Sequence, residues 1–312
     1  MMVSEPTKLP YFRHPEELPG PLPALSEIHD APDSQLSPRR SGWTDPGGVC
    51  VIRNTFIVKY GTDVTEYEGN VLLFVEQYLN IRAPRLYAMY RDESTDCVYL
   101  IIEYIQGVSL ETIWPSLSDV SKASITSQLK QIFDEMRSLK PPENFIGGID
   151  GGSLRDPAFQ TEGPNSRING PFESPEEVGV ALALASEEYW KDNGKSIWLP
   201  RFFSRHLGAA LKDHEVKFTH GDLYMRNILV EKTSKANGAL NGDGLKTEQY
   251  RVTGIVDWEA AGWYPAYWEY ATAMSRAQAQ SEWQDHVGNI VKPFPLEFPM
   301  ILLVLQNLQL IF

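Results

Sequence analysis

Only two cysteines, Cys50 and Cys97, occur in 312 residues. They form neither a disulfide framework nor a metal-ligand spacing, which fits a reducing compartment. The six histidines are scattered, with no pair at zinc spacing. Positive charge is also scarce: 28 Lys and Arg stand against 41 Asp and Glu, a formal net charge of -13. Nucleic-acid phosphates need a basic face, so that partner class is excluded. The acidic surface serves solubility, and it permits a cationic small substrate. No positively charged segment leads into an apolar core at the N-terminus, so no secretory signal is read. The longest apolar stretch, Met300 to Phe312, is broken by Gln306, Asn307 and Gln309. It is too short and too polar to span a bilayer and reads as a buried terminal helix. The expectation is a cytoplasmic globular protein with no membrane and no nucleic-acid partner.

What is present is a hydrophobic fraction of 42%, enough for a substantial core in one large domain or two lobes. Eight prolines fall between Pro6 and Pro38. At that density helices and ladders are blocked, so residues 1–40 are expected to be an extended or poorly ordered arm. From Ser41 the texture changes. Asp45-Pro-Gly-Gly48 reads as a turn, and the β-branched runs at 49–53 and 56–60, joined by Asn54-Thr55, predict a hairpin. Lys59 closes its second strand. An amphipathic helix follows over 65–79, with Val71, Leu72, Val75, Tyr78 and Leu79 at helical spacing and Glu66 and Glu68 in its first turn. Two further strands are read at 85–90 and 98–105, the second apolar enough to be central or buried. Residues 41–106 thus form a small sheet-rich lobe with one helix, and Gln106-Gly107 stops it.

Residues 107–312 read as mainly helical. Ile125, Leu129, Ile132, Phe133, Met136 and Leu139 make one stripe between Ser118 and Leu139. Residues 144–175 form a long loop rich in Gly, Pro, Asn and Asp, a candidate substrate-facing segment. Ser174-Pro-Glu-Glu177 opens another helix with a capping box, and a further helix spans about 199–211. Then comes Phe218-Thr-His-Gly-Asp-Leu-Tyr-Met-Arg-Asn-Ile-Leu-Val230. A polar excursion at 232–249 is expected to be mobile, and the chain returns as a strand ending in Ile255-Val-Asp-Trp258.

Phosphoryl transfer from a nucleotide asks a protein for positioning, charge neutralisation and a base. The parts needed are a lysine on the phosphates, a glutamate that orients it, a carboxylate base and two metal ligands. They occur here in that order: Lys59, Glu68 (or Glu66), Asp222, Asn227 and Asp257. Each has a plainer reading. Lys59 could be an exposed edge lysine, the glutamates could serve the helix dipole, and Asp222 and Asn227 could be turn residues. Five in the right order, each on the expected element, make chance a poor explanation.

His220-Gly-Asp-Leu-Tyr-Met-Arg-Asn227 and Ile255-Val-Asp-Trp-Glu259 resemble the two signatures of the aminoglycoside phosphotransferase and choline-kinase-like family. The resemblance spans roughly Gly47 to Ala273. It implies an α+β protein-kinase-like bilobal fold, with a small antiparallel-sheet N-lobe bearing one helix and a larger, mainly helical C-lobe. It also implies ATP, Mg²⁺ and transfer of the γ-phosphate to a small-molecule hydroxyl. Carried over residue by residue, Lys59 meets the α/β-phosphates and Glu68 pairs with it. Backbone groups of Glu103 and Ile105 hold the adenine edge, Asp222 is the base, and Asn227 and Asp257 ligate magnesium. Glu269 buttresses the catalytic loop, which His220 also orients.

The chain departs from the wider kinase pattern in three ways. Gly221 replaces the arginine of protein-kinase catalytic loops, which favours a small-molecule kinase. Tyr224 stands where a lysine two residues after the base is usual, leaving Arg226 as a source of positive charge. A full G-x-G-x-x-G loop is absent, with Asp45-Pro-Gly-Gly48 in its place. The rival reading is therefore a catalytically silent kinase fold that binds a ligand or partner. Glu259, Trp263 and Tyr264 are candidate acceptor-facing residues, with core packing open to the aromatics.

Overall fold

In the computed structural model of the chain, the described residues are 4–32, 47–194, 196–233, 248–276 and 282–311. Asp45 and Pro46 of the expected turn, residues 33–40 of the proline-rich stretch and 234–247 of the polar excursion lie outside them. The chain divides into two units.

The first unit comprises Glu5–Gly107 with Thr253–Val256. It contains β1 (Tyr11–Phe12), α1 (Leu25–Asp30), β2 (Gly47–Ile52), β3 (Phe56–Gly61), α2 (Glu66–Tyr78), β4 (Leu86–Asp92) and β5 (Cys97–Glu103). The strands form one antiparallel sheet in the order β1-β4-β5-β3-β2. The hairpin between β2 and β3 turns through Arg53 and Asn54, both at positive φ (54° and 50°). Asparagine tolerates that conformation better than most residues. Apolar side chains leave both faces of β5 because both faces are covered. On one face Cys50, Ile52, Phe56, Val58, Tyr87, Tyr99 and Ile101 pack with Ile28 of α1. On the other lies α2. A Cβ on its Gly69 would stand 2.6 Å from Met89 Sδ and 3.2 Å from Leu100, so glycine allows the helix to lie close to the sheet.

The expected passive arm is corrected for residues 5–32. Proline density counts against ladders, but it says nothing of apolar side chains, and Leu18, Leu22 and Ile28 help cover the sheet. β1 extends the sheet beside β4. Arg13 is buried, donates through Nε to the Leu86 carbonyl at 2.7 Å and pairs with Glu76 of α2. These residues therefore belong to the sheet unit, not to a separate 1–40 segment.

The second unit takes in Val108–Val252 and the chain from Asp257 on. In order it contains β6 (Val108–Ser109), α3 (Leu110–Ile113), α4 (Asp119–Ser138), α5 (Ser166–Asn169), α6 (Pro175–Asp192) and α7 (Trp198–Ala210). It continues with β7 (Val216–Thr219), β8 (Ile228–Thr233), β9 (Gln249–Ile255, shared with the first unit), β10 (Gly262–Pro265), α8 (Trp268–Arg276), α9 (Trp283–Ile290) and α10 (Glu297–Asn307). Ser118 caps α4 by accepting from the Ser121 amide, and Ile125, Leu129, Phe133 and Met136 of the expected stripe are buried. Ser174 caps α6 through the Glu177 amide, with Pro175 at the first helical position. A small antiparallel sheet bearing one long helix, followed by a mainly helical unit, is the α+β architecture of a protein-kinase-like chain. Among the described residues no helix is long and apolar enough to cross a membrane.

The long loop at 144–175 is an internal brace over much of its length. Ile146 bridges to Phe172 and Gly147 to Trp263. Ile146, Ile149, Leu154, Asp156, Phe159, Ile168 and Phe172 are all buried.

Candidate active site

In the sheet unit, β3 lies between β2 and β5, so Lys59 is not an edge lysine. Its Nζ donates to both carboxylate oxygens of Glu68 at 2.8 Å, and the two side chains are 19% and 5% exposed. Glu66, the other candidate, points to Arg91 at 2.7 Å. The close approach at Gly69 explains the pairing, because it seats the first turn of α2 against the strand beside Lys59. Glu103 ends β5. Its carboxylate pairs with Arg82 and its amide donates to the Arg85 carbonyl at 2.9 Å. Ile105 is buried, and its amide finds no acceptor among the described residues. A buried donor without an acceptor is costly unless a ligand supplies one.

In the helical unit, β7 delivers His220-Gly221-Asp222, and one helical turn (Met225–Asn227) leads into β8. Gly221 has φ of 84°, and a Cβ there would lie 2.9 Å from the Ala260 carbonyl oxygen, so the position requires glycine. Glu269, in the first turn of α8, is fully buried and accepts from the amides of His220 (2.7 Å) and Gly221 (3.3 Å). His220 Nδ1 accepts from the Asp222 amide at 3.2 Å, and its ring stands edge-on to Trp258 at 4.7 Å.

The Asp222 side chain is 17% exposed and carries two donors on Oδ2: Arg226 Nη2 and Asn227 Nδ2, each at 2.8 Å. Asn227 Nδ2 also donates to the Asp222 carbonyl at 3.1 Å. The Arg226 guanidinium lies 4.8 Å from the Tyr224 ring centre. Asp257 follows β9. Thr233 Oγ1 donates to the Gln249 carbonyl and Arg251 pairs with Glu231, so β8 and β9 run antiparallel. The returning strand thus sets Asp257 at the same end of the hairpin as Asn227. Asp257 has φ of 68°, a left-handed conformation that costs a non-glycine residue about 1–3 kcal/mol.

Of the acceptor-facing candidates, Glu259 is exposed, while Trp263 and Tyr264 are corrected to core residues with no exposure. Both lie on β10, which pairs with β7, and Tyr264 stacks on Trp268 at 5.7 Å.

Two residues that sequence reasoning missed complete the loop's surroundings. Arg276, at the end of α8, donates through Nη1 to the Gly221 carbonyl at 2.9 Å. Its Nη2 reaches both oxygens of the buried Asp156 at 2.9 and 2.8 Å. They stand 120 positions apart, so no spacing could have paired them. Burial opposes the Arg276 charge, but Asp156 and Asp222 outweigh it and hold the guanidinium above its ordinary value. Burial likewise pushes the Glu269 carboxyl upward, against the lowering pull of His220, Arg137 and the two backbone donors.

A lysine paired with a carboxylate in the sheet unit, and a carboxylate beside a carboxamide in the helical unit, are residue types that phosphoryl transfer asks for. Residues 63–290 match the model of the phosphotransferase enzyme family APH, and the chain belongs to that family. No curated protein matches the chain in sequence. Among solved structures, a thermostable mutant of aminoglycoside phosphotransferase APH(4)-Ia with ADP and hygromycin B is 13% identical, with 74% of this chain and 68% of that one covered and a TM-score of 0.49. Aminoglycoside 2'-phosphotransferase-IIIa with GDP is 13% identical, covering 85% and 78%, at 0.48. The ternary complex of APH(2")-IIa with streptomycin and ATP is 12% identical, covering 74% and 68%, at 0.46.

Proposed function

We propose that the protein is an ATP-dependent phosphotransferase that moves the γ-phosphate to a hydroxyl of a small molecule. The observation that carries this reading is the state of the Asp222 carboxylate. It is largely buried, ionically paired on one oxygen only, and presented by a loop whose backbone is held on every side. In this role Asp222 takes the proton of the acceptor hydroxyl as that oxygen bonds to the γ-phosphorus and the bond from phosphorus to the bridging oxygen breaks. Arg226, on the same carboxylate, brings positive charge to the transferring group.

The residues also fit the metal. Asn227 spends its amide nitrogen on Asp222, which turns its carboxamide oxygen away from that contact. Together with the Asp257 carboxylate this offers the hard oxygen ligands that magnesium takes. Magnesium, when bound, neutralises charge on the phosphate oxygens. Lys59, held by Glu68, would meet the α/β-phosphates, and the Ile105 amide and Glu103 carbonyl would face the adenine edge.

The test is thermal stabilisation by ATP with and without Mg²⁺, for wild type and Asp257→Ala, followed by an ATP-consumption screen over hydroxylated metabolites. Metal-dependent stabilisation lost in Asp257→Ala, with turnover lost in Asp222→Asn, is the expected result. No metal-dependent nucleotide binding and no ATP consumption with any acceptor would sink the reading and leave the silent fold.

A further inference from the structure

The backbone from His220 to Asp222 is held by side chains on its amides. Glu269 takes the amides of His220 and Gly221, and the His220 ring takes the amide of Asp222. The Gly221 carbonyl belongs to the same peptide unit as the Asp222 amide. Arg276 Nη1 donates to it at 2.9 Å.

We propose that Arg276 and Asp156 are positioning residues, a clamp that fixes the Gly221–Asp222 peptide plane and with it the direction of the Asp222 carboxylate. This rests on the phosphotransferase reading for its catalytic consequence, though not for its structural one.

The geometry makes the clamp specific. Asp156 has no exposure, and its side chain is saturated. Oδ1 accepts from Arg276 and from the Ala158 amide at 3.0 Å, while Oδ2 accepts from Arg276 and from Trp268 Nε1 at 3.2 Å. A carboxylate so enclosed cannot move without breaking several bonds, so it is a fixed post for the guanidinium. The planar fork of Arg276 then places a second nitrogen on the Gly221 carbonyl. Tyr264 closes the ring. Its hydroxyl accepts from the Asp156 amide at 3.3 Å and donates to the Ala260 carbonyl at 2.9 Å. That carbonyl is the atom that would meet a Cβ on Gly221. The brace loop, α8 and the strand before it thus converge on one peptide. A peptide held at both its carbonyl and its N–H cannot rotate about its flanking bonds, whereas loss of the carbonyl contact frees it to flip. Near-attack geometry is sensitive at this scale: a displacement of about 1 Å can cost about 100-fold in rate.

The experiment uses the full chain and three variants: Arg276→Ala, Arg276→Lys and Asp156→Asn. Lysine keeps the charge but cannot serve the carbonyl and both carboxylate oxygens together. Three quantities are read: amide hydrogen exchange at Gly221 and Asp222, Mg·ADP affinity, and the kcat and KM for ATP consumption. The clamp predicts Mg·ADP affinity within about threefold of wild type and exchange at those two amides about tenfold faster. It also predicts that kcat falls about 100-fold while the KM for ATP barely changes. Methylguanidinium should restore part of the lost kcat in Arg276→Ala and none in Asp156→Asn. Unchanged exchange at Gly221 and Asp222 in both Arg276→Lys and Asp156→Asn would overturn the proposal, whatever the activity. So would a loss confined to KM. If wild type consumes no ATP, the phosphotransferase reading fails, while the exchange data still decide the clamp.

Discussion

Replacing Glu269 by glutamine separates the two effects that meet at this buried carboxylate. The substitution keeps shape and removes charge. The native side chain accepts from two amides, at 2.7 and 3.3 Å, with no exposure to water. A carboxamide has one acceptor oxygen, so its NH₂ group must face the second amide. A buried donor left without a partner costs about 1–3 kcal/mol. A protonated glutamic acid suffers less, because either oxygen can still accept. At acid pH, then, wild type should exceed Glu269→Gln by about 1–3 kcal/mol. Burial raises the carboxyl's pKa in the folded chain, so the native state holds its proton more tightly than the unfolded state does. Stability from this group is therefore full below the ordinary carboxylate range and falls as pH rises through the raised value. Glutamine has no such dependence. Urea unfolding of both proteins from acid through alkaline pH should show a gap that narrows with rising pH. Parallel curves, or a gap that widens, would refute the assignment of a raised pKa by burial.

Two further outcomes follow from the same geometry. A double-mutant cycle on Lys59→Met and Glu68→Gln, read by urea unfolding of the sheet unit, should give a coupling of about 1–3 kcal/mol, since one ammonium serves both oxygens of a carboxylate that is 5% exposed. Coupling near zero would mean that the pair does not exist in solution. Gly221→Ala should destabilise by about 1–3 kcal/mol from its left-handed backbone alone, and by more from the 2.9 Å approach to the Ala260 oxygen. Its unfolding midpoint checks this, and wild-type stability would show that the turn is not rigid.

Much of the sheet unit was legible because its signals are local. The β-branched and aromatic runs predicted β2 and β3, two further apolar runs predicted β4 and β5, and period 3.6 predicted α2. The choice between Glu66 and Glu68 was also written there: Glu68, Leu72 and Val75 fall at i, i+4 and i+7, on the face that meets the sheet, while Glu66 faces Arg91 outside it. The order Asp222, Asn227, Asp257 was visible because a catalytic loop and the strand that returns to it keep their chemistry within short segments. The N-terminal stretch was misread for the converse reason. Its prolines are a local signal, but its place in the fold is set by Arg13 reaching Leu86 and Glu76, contacts more than sixty positions away.

Trp263 and Tyr264 show what a sequence hides at a site. Neighbouring residues on a strand point to opposite faces, so one of two adjacent aromatics would be expected to face outward. Neither does, because both faces of β10 are covered: Trp263 packs on Phe218, and Tyr264 stacks on Trp268 with its hydroxyl between Asp156 and Ala260. The covering comes in part from the loop at 144–175, whose glycines, prolines and polar residues give no sign of a buried role. Its length has a physical reason. A single carboxylate taken out of water needs a cation and further donors, or it is destabilising by several kcal/mol on the order usual for an unpaired buried charge. The brace loop brings Asp156 to the one place where Arg276, Trp268 and the Ala158 amide together meet that need. The arginine so fixed is the one that holds the carbonyl beside Asp222. The loop is therefore tied, through Asp156 and Arg276, to the backbone beside Asp222.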